Sequence, residues 1–246
     1  IMNRKSDLIL DPLYDKKEQC ILCNHSFTTK KVRSRFVKPK QIDSDFGPIF
    51  APDEKNNPLF YYVVVCPKCS YSYTEDFSKS ISPVAKKIIV DNISSKMNDI
   101  IDYSSNRDFA TAERAYKLAI YCGQLIEEKS ISMAKLCLHL GWLYRNVTNK
   151  EEELRFIKFA AQEFEQAYIN SQFDPAKTSE IYILYMIGEL KRRLGLHQEA
   201  VRFFSAVINH PDKLRYPKYV NLARKQWKLT AEEYRSNLSE VSDVSD

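Results

Sequence analysis

The spacing of apolar residues changes character once along the chain. Between residues 18 and 77 apolar positions come in short runs broken by turn formers, which predicts a β-rich unit with one strand over residues 27–37 and another over 59–65. The stretch from Asp43-Ser44-Asp45-Phe46-Gly47-Pro48 to Asn56-Asn57-Pro58 reads as an irregular loop, because its prolines and glycine suit neither period. At Ser82-Pro83 the period becomes 3.6. Ala85, Ile88, Ile89, Ile93, Met97, Ile100 and Ile101 share one helix face, with Pro83 suited to a first turn. Later stripes centre on Tyr116, Cys137, Ile157, Leu184, Phe204 and Ala223, so seven helices with short connections are expected. The fold class that follows is α+β: a small β-rich module over residues 1–80, an all-α domain over 81–236, and a Ser/Asp-rich tail over 237–246 expected to be disordered.

Self-similarity among the helices points to a repeat array. Gly188, Gly195, Ala200, Phe204, Val207 and Pro211 resemble a tetratricopeptide repeat, with a small residue at the helix crossing and a glycine at the turn. Ala112, Tyr116 and Ala119 repeat the second-helix pattern, and Leu140, Gly141 and Tyr144 the first. Leu154, Lys158 and Ala161 depart from it. The offset from Ala112 to Leu154, and that from Leu154 to Ala200, exceed the usual spacing of about 34 residues, so any repeats are elongated. Three helix pairs and a capping helix are expected, the last supplying a polar outer face.

The cysteines add chemistry to this outline. Cys20-Ile-Leu-Cys23 and Cys66-Pro-Lys-Cys69 are two Cys-x-x-Cys pairs, and four thiolates are what a tetrahedral Zn²⁺ accepts. Disulfides are the competing use, but 246 residues with 44% hydrophobic content can bury a core without such staples. A closed four-sulfur site leaves no position for substrate, so the expected Zn²⁺ is structural and stabilises a module too small to hold itself together. Cys122 and Cys137 lie on helical stripes and read as small buried hydrophobes. His25, two residues past Cys23, reads as a turn residue, and His139, His197 and His210 as structural.

Cys20-x-x-Cys23, then Asp43-Ser44-Asp45-Phe46, then Asn57-Pro58-Leu59-Phe60-Tyr61-Tyr62 running into Cys66-Pro67-Lys68-Cys69-Ser70-Tyr71 and Phe77, resemble a bacterial family of unknown function that carries two zinc knuckles followed by tetratricopeptide-like helices. The resemblance covers nearly the whole chain. It implies zinc and a cytoplasmic setting and supplies no activity. Ser70 departs from its pattern, which favours a glycine able to adopt positive φ after the second pair.

Charge and aromatic patterning suggest two partner surfaces. Lys30, Lys31, Arg33, Arg35, Lys38 and Lys40 fall within eleven residues without an acid, although the net charge of the chain is only +5. As a strand they would form a cationic stripe for RNA or DNA phosphates, for an acidic protein, or for the loop acids Asp43, Asp45, Asp53 and Glu54; a solvated face is the plain alternative. In the helices, Lys135, Trp142 and Arg145 form one line, and Tyr182, Tyr185, Glu189 and Arg192 the next, as a concave groove for a protein partner would require; packing between helices is the alternative. Five glycines cannot write a phosphate-binding loop or dinucleotide fingerprint. Asp43 and Asp45 suit turn caps better than acid/base chemistry, so no catalysis is expected. No apolar run approaches membrane-spanning length, and the run at Leu8-Ile9-Leu10 is too short for a signal core. The outcome expected is a cytoplasmic, zinc-stabilised interaction scaffold, with a nucleic-acid-binding regulator as the alternative.

Overall fold

A computed structural model describes residues 10–51, 54–97 and 101–243, with side chains described up to residue 236. Leu8, Ile9, Asp53, Ile100 and the last three residues of the tail therefore lie outside the described residues. Among the described residues the fold is α+β: small antiparallel strand pairs, then seven helices.

Each cysteine pair forms the turn of a hairpin. Strand β1 (Leu13–Gln19) pairs antiparallel with β2 (Ser26–Val32), Gln19 facing Ser26 across the first Cys-x-x-Cys. Two-residue strands β3 (Gln41–Ile42) and β4 (Pro48–Ile49) flank the Asp43–Gly47 turn. Strands β5 (Val64–Val65) and β6 (Ser72–Tyr73) flank the second cysteine pair. The β1 strand went unpredicted because its sequence, LYDKKEQ, is polar on both faces.

Both predicted strands are shorter than expected. The strand over 27–37 ends at Val32, since β1 starts at Leu13 and offers only Pro12 O to the next donor, Arg33 N, at 2.9 Å; Ser34–Phe36 then form a 3-10 turn. Over 59–65 only Val64–Val65 are strand. Pro58 opens a 3-10 turn over Pro58–Tyr61, which Asn57 caps by accepting from Leu59 N at 3.0 Å.

Helix α1 (Pro83–Ile89) starts where Ser82 Oγ accepts from Ala85 N, and becomes a π-turn at Val90–Ser94. The long helix implied by the 85–101 stripe is thus one short helix and a π-turn. The remainder are α2 (Phe109–Leu125), α3 (Ser130–Asn146), α4 (Lys150–Ile169), α5 (Glu180–Arg193), α6 (His197–Ile208) and α7 (Pro217–Asp243). Side-chain caps from Asp108, Asn149 and Ser179 open α2, α4 and α5, and basic residues 191–193 end α5, complementing its dipole. The α7 helix runs through most of the stretch assigned to a tail.

Consecutive helices pack: α3 on α4, α4 on α5, α5 on α6 and α6 on α7. A Cβ on Gly188 would lie 2.9 Å from the Phe204 ring, so the α5–α6 crossing is closer than alanine allows. Gly195, at φ +75°, makes the turn between these helices.

The front segment and the helices share their cores, so residues 80 and 81 mark a change of pattern and not a gap in packing. Leu59, Val63, Val65 and Phe77 join the main helical core. A second cluster gathers Cys20, Cys66, Cys69 and Tyr71 against Ile89, Ile93 and Cys122. Arg107 ties the two segments together. Its buried guanidinium donates to Val63 O at 2.7 Å, Phe60 O at 3.2 Å and Tyr103 O at 2.8 and 3.0 Å, while burial draws its pKa down to about 10.

Candidate metal centre and the occupied cleft

The two cysteine turns repeat one backbone geometry. Cys20 O accepts from Asn24 N at 2.8 Å while Cys20 N donates to His25 O at 2.9 Å; Cys66 O accepts from Ser70 N at 2.9 Å while Cys66 N donates to Tyr71 O at 3.0 Å. In each turn the residue after the second cysteine is left-handed, Asn24 at φ 57° and Ser70 at φ 60°. The backbone at Ser70 thus takes the conformation for which the family pattern favours glycine.

All four expected donors meet at one point. The sulfurs of Cys20, Cys23, Cys66 and Cys69 lie within 4.8 Å of one another, with Cys20–Cys69 at 3.5 Å and Cys23–Cys66 at 3.7 Å. A tetrahedral ion with 2.3 Å bonds to sulfur needs sulfurs about 3.8 Å apart, so the cage has the size of one such site. These separations far exceed a disulfide bond of about 2.0 Å. Backbone N–H groups of Lys68 and Cys69 face the Cys66 sulfur and favour its thiolate; those of Leu22 and Cys23 face Cys20, but its hydrogen bond with Cys66 outweighs them and pushes the Cys20 thiol up to about 11. Mutual hydrogen bonding divides the protons unevenly: a bond from Cys20 lowers Cys66, and the same partner raises Cys69. Three donors are buried and Cys23 is half-buried. Ile89, at the end of α1, and Ile93, in the π-turn, close the site, and Ser94 Oγ donates to Cys69 O at 2.7 Å. His25 is no part of the cage; its ring stacks on Phe27. Cys122, buried behind the cage, accepts from Ser72 N, and burial pushes its thiol up to about 12.

The lines expected to form an open groove are instead covered by the chain's own Asp43–Gly47 turn. Asp45 is fully buried there; Arg145 donates to both its oxygens, at 2.9 and 2.6 Å, and Trp142 Nε1 donates to Asp45 Oδ2 at 3.1 Å. Asp43 pairs with Arg193 at 2.9 Å and with Arg145 at 3.3 Å. Ser44 Oγ donates to the buried Glu189 at 2.6 Å, and Tyr185 OH donates to Ser44 O at 2.7 Å. Phe46 rests among Tyr182, Tyr185 and Tyr219, with the Lys218 ammonium 5.0 Å from its ring centre. A Cβ on Gly47 would sit 2.7 Å from both Trp142 and Arg145. Burial opposes ionisation of both aspartates, yet the arginines outweigh it and hold each carboxyl below its usual range. Lys135 and Arg192 do not touch the turn: Lys135 pairs with Asp76 at 2.7 Å, and Arg192 pairs with Glu189 and Glu233. Arg193, one residue past the predicted line, was missed. The available signal was charge balance, with two loop aspartates facing a run of three basic residues at the end of α5.

The basic segment makes no continuous stripe. Lys30 pairs with Asp15 and Lys31 with Glu75, while Arg33 donates to Asp11 O and lies over Tyr14. Arg35, Lys38 and Lys40 are exposed and make no ion pair among the described residues. Asp43 and Asp45 pair with the helix arginines and not with this segment. His139 is half-buried against Tyr62 and Trp142, and desolvation lowers its pKa to about 4, so it is neutral.

No helix among the described residues is long and apolar enough to cross a membrane. The model of a family described as an uncharacterized protein conserved in bacteria (DUF2225) matches residues 13–230. No curated protein and no solved structure matches the chain. That match runs from β1, ahead of the first cysteine turn, into α7, and the chain belongs to this bacterial family.

Proposed function

We propose that this protein is a Zn²⁺-stabilised cytoplasmic scaffold whose tetratricopeptide-like helices bind a protein partner, without catalysis. One observation carries the partner reading: the cleft between α3 and α5 already holds a peptide segment through ion pairs, hydrogen bonds and an aromatic anchor. Such a surface has the chemistry of a peptide-recognition site. Zinc is the metal that four thiolates at this spacing suit best. A non-catalytic role is supported by the full sulfur set, which leaves the ion no open position, and by the arginine pairing of Asp43 and Asp45, which keeps both from exchanging protons near neutrality.

Affinity capture from bacterial lysate, with and without nuclease, tests the reading. A protein partner retained after nuclease treatment and at raised salt, and lost from a Tyr182→Ala variant, is the expected result. Loss of the captured material on nuclease treatment, with a salt slope that flattens in an Arg35→Ala/Lys38→Ala variant, would assign the protein to nucleic acid instead.

A further inference from the structure

The Asp43–Gly47 turn sits on the helices as a ligand sits on a receptor. Its strands β3 and β4 have two residues each, and Gln41 and Ile42 are exposed. Its hold on the helices is largely polar: the Asp45–Arg145 pair, the Asp43–Arg193 pair, three Ser44 contacts with Glu189, Tyr185 and Arg193, and two bonds between Asn146 and the backbone at Pro48 and Phe50. Beside these only Phe46 and Phe50 supply aromatic anchors. Contacts of this kind exchange for equivalent ones from another chain far more readily than a buried apolar core does.

The cleft is also longer than the segment within it. A tight turn, with Phe46 N donating to Asp43 O and Asp43 N to Gly47 O, both at 2.9 Å, sends the chain back out after Gly47. Beyond the Phe46 ring a cavity of about 400 Å³ remains between α3, α5, the start of α7 and the α4–α5 connection, its lining including Lys135, Thr178, Tyr182, Tyr216 and Tyr219. The four hydroxyl groups among these residues have no protein partner among the described residues, and Lys218 beside them makes no ion pair there. Hydroxyls and an ammonium around a free cavity suit an acidic or carboxylate-bearing extension of whatever occupies the cleft.

Building on the partner reading above, we propose that residues 43–47 are an internal ligand occupying this cleft, and that the external partner is a protein segment of the same chemistry: two acidic residues flanking a small polar one, followed by an aromatic. The intact chain is then self-occupied. The partner gains access by displacing the turn, and its continuing residues fill the cavity that the turn leaves open.

A trans-binding experiment on the full, metal-loaded chain tests this. Gly47→Ala puts a methyl 2.7 Å from Trp142 and Arg145, so the turn must loosen its seat, while every cleft residue keeps its identity. A fluorescent nonapeptide with the sequence of residues 41–49 is expected to bind this variant at least tenfold more tightly than wild type. The same peptide with both aspartates changed to asparagine is expected not to bind. Equal or absent binding to a folded Gly47→Ala variant would overturn the internal-ligand inference, whereas the broader scaffold reading stands or falls by the nuclease-resistant capture. If Gly47→Ala does not fold, hydrogen exchange of the wild-type chain decides: amides of Asp43, Phe46 and Gly47 should exchange by local opening, at least a hundredfold faster than core amides of α3 and α5. Exchange of the turn only together with that core would make it a permanent part of the fold and overturn the proposal.

Discussion

Ser70 isolates a single energetic question. Its φ of 60° costs a non-glycine residue about 1–2 kcal/mol, and glycine would remove that cost while adding about 0.5–1 kcal/mol of chain entropy to the unfolded state. The strain term wins, so Ser70→Gly should stabilise by about 0.5 kcal/mol, a Tm rise on the order of 1–2 °C by calorimetry at fixed metal loading. A lowered Tm would mean that the serine hydroxyl contributes more than the backbone strain takes away. The left-handed conformation was legible from the position of the residue after a Cys-x-x-Cys pair. Its twin at Asn24 was legible only to the extent that asparagine tolerates this conformation. Asp43 and Asp45 cap their turn as their residue types suggest, accepting from Ser44 N at 2.7 Å and Gly47 N at 3.1 Å, but their pairing with arginines of the helices was not legible. Two turn-capping acids look the same whether or not they also reach arginines 100 and 150 residues away, and nothing local announces the second role.

At the scale of elements, helices were readable and strands were not, for one physical reason. A helix satisfies its backbone internally and displays its buried face at a fixed period, as Ile181, Leu184, Ile187 and Gly188 do along α5. A short strand is defined by its partner. Val32 is the last residue of β2 because β1 begins at Leu13, a fact written elsewhere in the chain. The α1 stripe misled because Ile89 and Ile93 follow a helical period but serve the cysteine cage, across a π-turn. Where two helices cross, the small residue was legible and its partner measurable: Gly188→Ala should cost about 1–3 kcal/mol in denaturant unfolding, because the Phe204 ring must move. A Gly188→Ala/Phe204→Leu double variant should recover part of that loss relative to additivity. Strict additivity would show that the two do not press on each other.

On the scale of the whole molecule, the front segment and the helices share the core around Leu59, Val63, Val65 and Phe77, and are further joined by the cysteine cluster against Ile89 and Ile93, the Arg107 clasp and the Asp43–Gly47 turn in its cleft. The turn gives acid sensitivity of a defined sign. Both aspartates have carboxyls held below their unfolded values, so their contribution is complete above a pH of about 4 and is lost as pH falls through the lower folded values. With Trp227 replaced by phenylalanine, Trp142 becomes the sole indole reporter of the cleft. Its emission should hold steady from pH 7 to 5 and shift to the red below about 4. In an Asp43→Asn/Asp45→Asn chain the step should shrink to the part that comes from His139, whose ring lies 4.5 Å from that of Trp142 and protonates only near a pH of about 4; a step of equal size in both would place the transition elsewhere. Arg107 makes a separate prediction. Replacement by methionine strands buried carbonyl oxygens and should cost on the order of 1–3 kcal/mol, read as a lower unfolding midpoint.

Every statement about the front segment depends on one ion holding four sulfurs, and native mass spectrometry of freshly purified protein, paired with elemental analysis, tests that most directly. The expected result is the chain mass plus one zinc, with Cys20, Cys23, Cys66 and Cys69 resistant to alkylation until a chelator is added and the near-ultraviolet signal of the front segment lost with the metal. A metal-free mass with those four cysteines freely alkylated in a folded chain, or a mass four protons light with two disulfides mapped among them, would contradict the account.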